Sequence, residues 1–101
     1  MTLPAWPEGL VPYRRTPEFT EATTPQALQR AHSTRPGTWA RLHVLDGRLA
    51  FRDLVTGEGV ELAAGVHPLI FPQREHQVEL LGPVRFFVEF CEPSPGSPGA
   101  G

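Results

Sequence analysis

The feature that most constrains this chain is a rhythm of short β-patterned runs cut by Gly and Pro every eight to twelve residues, from about Leu28 to Cys91. Runs of that length with alternating apolar positions suit strands, and turns at that spacing suit a barrel or a sandwich. Ala27 to His32 reads as a first run, stopped by Arg35-Pro36-Gly37. Thr38 to Leu45 is a second. Asp46-Gly47 follows it directly, and because both residues tolerate positive φ the pair predicts a hairpin joining 38–45 to 48–54. Gly57 and Gly59 mark a further turn. Leu69 to Phe71, His76 to Leu81 and, after Gly82-Pro83, Val84 to Cys91 complete a set of roughly eight strands. Only Pro25 to Arg30 has helical character, and it is too short to be stable alone.

With 101 residues the chain makes one domain. Residues 1–9 form an extended arm rich in proline, 10–92 the folded domain, and 93–101 a disordered tail of Pro, Gly, Ser and Ala. Val11 to Arg15 adds an edge strand. In the aromatic run, alternation sends Phe86, Val88 and Phe90 inward and Phe87 and Glu89 to the opposite face. The net charge of −2 has no basic block behind it, so a nucleic-acid partner is not expected. No apolar stretch is long enough for a membrane span, and no basic-then-apolar leader opens the sequence. A single cysteine, Cys91, makes no internal disulfide and reads as a buried, inert thiol. These features together predict a cytoplasmic protein.

Chemistry rests on four histidines, His32, His43, His67 and His76. No pair has the helical spacing of a zincin, and one cysteine excludes a thiolate zinc site. A metal site would have to gather histidines from separate strands. His76 alternates with Val78 and Leu80, so it points inward, where it must be hydrogen-bonded or coordinated. His32 ends its run in the same way. His43 depends on the register around Asp46-Gly47, which a slip of one residue reverses. His67, before Pro68, is expected at the surface. Glu79 and Glu89 are either solvated carboxylates or partners for a histidine site or for Arg41. Arg14 and Arg15 make a minor basic spot. There is no Gly-rich phosphate loop and no nucleophile elbow, so no catalytic residue is assigned.

GTWARLHVLDGRLAF and GVHPLIFPQREHQVEL resemble the two halves of a cupin, with Val44-Leu45-Asp46-Gly47 in the first and Gly65, Pro72 and His76 in the second. More closely, VPYRRTPEF, the His32 to Gly37 segment, RLHVLDG, FPQREHQVE and RFFVEF are similar to a small cupin-like family. That family includes the YeaR proteins and the N-terminal domain of TehB-type tellurite-resistance methyltransferases. The resemblance implies an all-β, antiparallel double-stranded β-helix (a jelly-roll barrel) with a divalent metal inside: zinc, iron, manganese or nickel. By motif, His32 falls near the histidines of the first cupin motif and His76 on the histidine of the second. We expect His76 as principal ligand, His32 as second and His43 as third, although the same register turns His43 outward and Ala40, Leu42 and Val44 inward. The His-x-His pair is absent, with Thr34 at the second position. Ala40 stands seven residues before Gly47, where the cupin carboxylate ligand lies.

Three functions are open on this reading. The first is a metal-binding module that binds or senses a small molecule in an oxyanion, tellurite-type stress response. The second is a non-haem metal-dependent oxygenase or isomerase. The third is a metal-free interaction barrel acting through Trp6, Trp39 or a sheet edge. Methyl transfer belongs to a separate domain of the longer relatives, and nothing in this sequence binds S-adenosylmethionine in the Rossmann manner. Small cupins pair through sheet edges, which makes a homodimer one arrangement open to the chain.

Overall fold

A computed structural model describes residues 6–94. The expectations for the first five residues and for the tail from residue 95 lie outside that range. Six strands and one short helix make up the fold: β1 (Leu10–Arg15), β2 (Phe19–Thr20), a 3-10 turn (Gln26–Gln29), β3 (Trp39–Asp53), β4 (Gly59–Leu62), β5 (Gly65–Ile70) and β6 (His76–Pro93). All strand pairings are antiparallel, in the order β1-β6-β3-β4, with β2 on β6 and β5 on β3. The all-β antiparallel class read from the sequence is what is observed.

The organising pair is β3 with β6, aligned from Trp39 opposite Cys91 to Asp53 opposite His76. Asp46-Gly47 therefore does not turn the chain back. β3 runs through it, and the expected hairpin between 38–45 and 48–54 is replaced by one strand that bends. Gly82-Pro83 is likewise inside β6 and not between two strands. The two breaks face each other: Gly47 pairs with Val84, and a Cβ on Gly47 would collide with the carbonyl oxygen of Pro83. Gly47 also holds φ at 76°, a region glycine adopts without penalty. Positive φ at Gly47 was legible in the sequence; the partner that made it a crossing point was not.

The register shift between Val44 and Asp46 places one extra residue in β3, a bulge. Because side chains alternate with period two, that residue reverses the inward set. Ala40, Leu42 and Val44 are buried before it, and Leu49, Phe51 and Asp53 after it. With Val78, Val84, Phe86 and Val88 of β6, and Leu62 and Ile70 of the flanking strands, they form a single core. Burial of each Leu, Val or Phe is worth about 1.5–3 kcal/mol.

Two local expectations change. Ala27 to His32 is not a strand: Gln26–Gln29 is the 3-10 turn, and only His32 joins the sheet, through an isolated bridge to His76. Pro25 and the absence of a long apolar alternation account for it. The domain also reaches further at both ends than 10–92. Trp6 packs edge-on against Phe71 at 5.7 Å, Leu10 pairs with Pro93, and the Ser94 N–H donates to the Gly9 carbonyl at 3.1 Å. No helix among the described residues is long and apolar enough to cross a membrane.

Candidate functional site

Between the 3-10 segment, β1 and the inner faces of β3, β5 and β6 lies a cavity of about 380 Å³. Its buried lining is mostly apolar, with Leu42, Ile70, Val78 and Val88 beside half-buried Phe19 and Phe90, and it includes the buried polar residues Thr38 and His76. His32 and His76 meet in its wall, and Tyr13, Thr16, Ser33 and Thr34 add hydroxyl groups to the lining. Arg14 and Arg35 stand exposed at the rim.

The two histidines are held as a matched pair. Each backbone N–H donates to the other's carbonyl, at 3.1 Å for His32 and 2.9 Å for His76. Their rings pack edge to face with centroids 4.2 Å apart. His32 Nδ1 lies 2.9 Å from the Arg30 carbonyl, and His76 Nδ1 lies 3.0 Å from the Arg74 carbonyl. A carbonyl only accepts, so each ring carries a proton on Nδ1, and a ring that is neutral then has its lone pair on Nε2. Neither Nε2 has a partner among the described residues. The common device is an Arg-x-His triplet, Arg30-Ala31-His32 and Arg74-Glu75-His76, in which the histidine reaches back two residues. That repeated triplet was the sequence signal for the pair, and reading each histidine singly missed it.

His76 is only 2% exposed and stacks against Phe51 at 5.3 Å. Burial lowers its pKa to about 4, and neighbouring His32 adds to the drop. The Arg74 carbonyl and Asp53 oppose it without prevailing, so the ring is neutral at physiological pH. The loop bearing Arg74 is itself tied down. Asp53 Oδ2 accepts from Arg74 Nε at 2.9 Å and Nη2 at 2.7 Å, and Asp53 Oδ1 accepts the Val55 N–H at 2.9 Å. Burial pushes the Asp53 carboxyl up, but the Arg74 guanidinium and the Val55 N–H outweigh it and hold the group below its ordinary value.

His43 is not part of the pair. It sits on the opposite face of β3, where Nε2 lies 3.0 Å from Glu89 Oε1 and the ring stacks on Phe87 at 4.4 Å. Arg41 also reaches Glu89, and the Arg15 guanidinium lies 4.7 Å from the Phe87 ring centre. Glu89 thus takes the Arg41-pairing role. Its burial raises the pKa, while His43 and Arg41 bring it below the usual carboxylate range. These neighbours bury Phe87 as well as Phe86, so both faces of this part of β6 are covered. Cys91 is buried and its thiol pKa is raised by that burial, the condition of an inert thiol. His67 Nε2 meets the Ala63 carbonyl at 2.8 Å on the outside.

The donor set does not fit a divalent metal. No group of three His, Cys, Asp or Glu side chains gathers anywhere among the described residues. Two imidazoles without a carboxylate fall short of the three or four protein ligands of metal centres. Asp53, the carboxylate that acts electrostatically on His76, is engaged by Arg74. What the site offers is a mostly apolar chamber with the unpartnered Nε2 atoms of His32 and His76 in its wall and two arginines at its rim.

The comparisons give this antiparallel β-domain a family. The TehB-like domain matches residues 14–88, and the chain belongs to that family. It is 36% identical over 77 residues to the probable S-adenosyl-L-methionine-dependent methyltransferase TehB of Haemophilus influenzae strain Rd, and 35% identical to that of strain 10810. The match covers 71% of this chain and 27% of the Rd protein, so the chain spans about a quarter of the relative's length. The crystal structure of TehB from Haemophilus influenzae superposes with a TM-score of 0.76 at 32% identity, over 85% of this chain and 32% of that one. A crystal structure of a protein from Escherichia coli K12 superposes at 0.79 with 22% identity, over 91% of this chain and 99% of that one, a likeness of fold. The cofactor named for the TehB relatives is S-adenosylmethionine, not a metal ion. With the donor geometry above, this corrects the expectation of a divalent metal ion as cofactor.

Proposed function

We propose that this chain is a small-molecule-binding module of the TehB-like family, a cupin-type barrel that binds or senses a ligand in a tellurite-type stress setting. The observation that carries this reading is the cavity of about 380 Å³ holding two unpartnered imidazole Nε2 atoms. Sites for small molecules run from about 300 to 1,000 Å³ and combine apolar walls with a few convergent polar groups. This one has that make-up. Every pairing between the strands of the described residues is antiparallel, so they form no parallel βαβ crevice of the Rossmann kind.

The test is to release small molecules by denaturing protein purified without chelator or added ligand, and to compare it with a cavity-filled variant. Val78→Phe and Val88→Phe each place a ring in the chamber. Either is usable once it shows a cooperative unfolding transition. The expected result is at least one stoichiometric small molecule with the wild type and its loss from the filled variant. Equal recovery from both would refute a binding role for the cavity.

A further inference from the structure

The polarity of the chamber says more about its occupant, provided that the cavity is a binding site as proposed above. We infer that the ligand is a small organic anion with an apolar body and a hydrogen-bond donor (an O–H or N–H group) at the end away from its charge.

Three observations fix the three parts. The first is charge. Arg14 and Arg35 line the rim, no Asp or Glu lines the cavity, and neither arginine has an ion-pair partner among the described residues. A guanidinium fork matches a carboxylate or a similar oxyanion. The second is the histidine pair. With its Nδ1 proton committed to the Arg74 carbonyl, the buried, neutral His76 ring presents a lone pair at Nε2, beside the ring of His32. Lone pairs repel a carboxylate oxygen and accept from O–H or N–H, so the charged end of the ligand faces the rim and the donor faces the pair. The third is the lining between them. Leu42, Ile70, Val78 and Val88 offer no hydrogen bonds, and the Thr16 and Thr34 hydroxyls donate to the Pro17 and Thr38 carbonyls, so a bare inorganic oxyanion set against the aliphatic wall would lose hydration there without replacement. An organic body gains from the same surface.

Three probes separate these parts: 4-hydroxyphenylacetate carries all of them, phenylacetate lacks the donor, and 4-hydroxyphenylethanol lacks the charge. Binding is read from the methyl resonances of Leu42, Ile70, Val78 and Val88 and the ring resonances of His32 and His76. The hydroxy acid is expected to bind at least about tenfold more tightly than phenylacetate, the loss that follows from one unmade buried hydrogen bond. Its advantage over the neutral alcohol is expected to be a few-fold, to shrink with salt and to vanish in Arg14→Gln/Arg35→Gln. His76→Phe, once it shows a cooperative unfolding transition, should erase the preference for the hydroxyl while phenylacetate still binds. If the acid and the alcohol bind alike and the arginine variant changes nothing, or if phenylacetate matches the hydroxy acid, the inferred ligand class falls and the binding module stands. Tighter binding of tellurite or phosphate than of the hydroxy acid would also overturn the class. If no probe at millimolar concentration moves the cavity methyls, the binding reading falls with it.

Discussion

His76 shows how one side chain is specified by what surrounds it. Buried against Phe51 and His32, it is kept neutral, with a pKa near 4 against 6.5 in the open chain. Between those values the unfolded chain takes up a proton that the native chain refuses, so stability falls as pH drops from about 6.5 to 4. The full effect of this group is roughly 3 kcal/mol. Asp53, whose carboxyl is held low in the fold, adds a loss in the same direction at more acid pH. Urea midpoints measured from pH 7 to pH 4 should therefore decline, and His76→Leu should flatten the slope over the upper part of that range. A wild-type midpoint that did not change above pH 4.5 would contradict the burial. The aromatic pair makes a second residue-level prediction. Phe86, fully buried in the main core, should cost about 3–5 kcal/mol on replacement by Ala. Phe87 faces the other way but is covered by His43 and Arg15, so its loss should be smaller yet substantial, about 2 kcal/mol. Chemical denaturation of the two variants measures both. Alternation placed Phe86, Val88 and Phe90 on the inner face correctly. It could not show that the outer face carries its own cover, because Arg15 and His43 come from other strands.

At the scale of elements, the bend in β3 is the decisive feature. Asp46-Gly47 has the chemistry of a hairpin turn, and a local reading of it predicts a reversal. The chain instead runs on, because β6 supplies partners on both sides of the pair. Turn residues therefore told where the strand departs from regularity and not what kind of departure it is. The bulge before Gly47 explains why inward positions are even-numbered in one half of β3 and odd-numbered in the other. It also turns His43 away from the cavity while Asp53, opposite His76, faces inward. Gly47→Ala should be costly on two counts, since a side chain there meets the Pro83 carbonyl and strains the backbone. Gly37 has a similar φ of 78° with nothing within 4 Å, so Gly37→Ala shows the backbone cost alone, about 1 kcal/mol. Thermal unfolding should rank Gly47→Ala well below Gly37→Ala. Equal midpoints would mean that the crossing of β3 over Pro83 is not tight.

For the molecule as a whole, the antiparallel β architecture and the TehB likeness were legible, because strand rhythm and several short motifs are written along the chain. The partnership of His32 and His76 was partly legible: both were singled out, and the structure joins them through a two-residue bridge. Their chemistry was not, since it depends on which ring nitrogen the neighbouring carbonyls occupy. A metal centre needs further donors in the same place, and the fold sends His43 to the far face and spends Asp53 on Arg74. The rim arginines were invisible as a site because Arg14 and Arg35 lie on segments that meet only after folding. The central claim is that the histidine pair serves an organic ligand in an apolar chamber. Its most direct test is a crystal structure of the protein purified without chelator, with anomalous data collected above the zinc and iron edges. The account predicts extended density of a light-atom ligand between Val78, Val88 and the histidine pair, within hydrogen-bond distance of an Nε2. A single anomalous scatterer about 2.0–2.1 Å from both Nε2 atoms would contradict it.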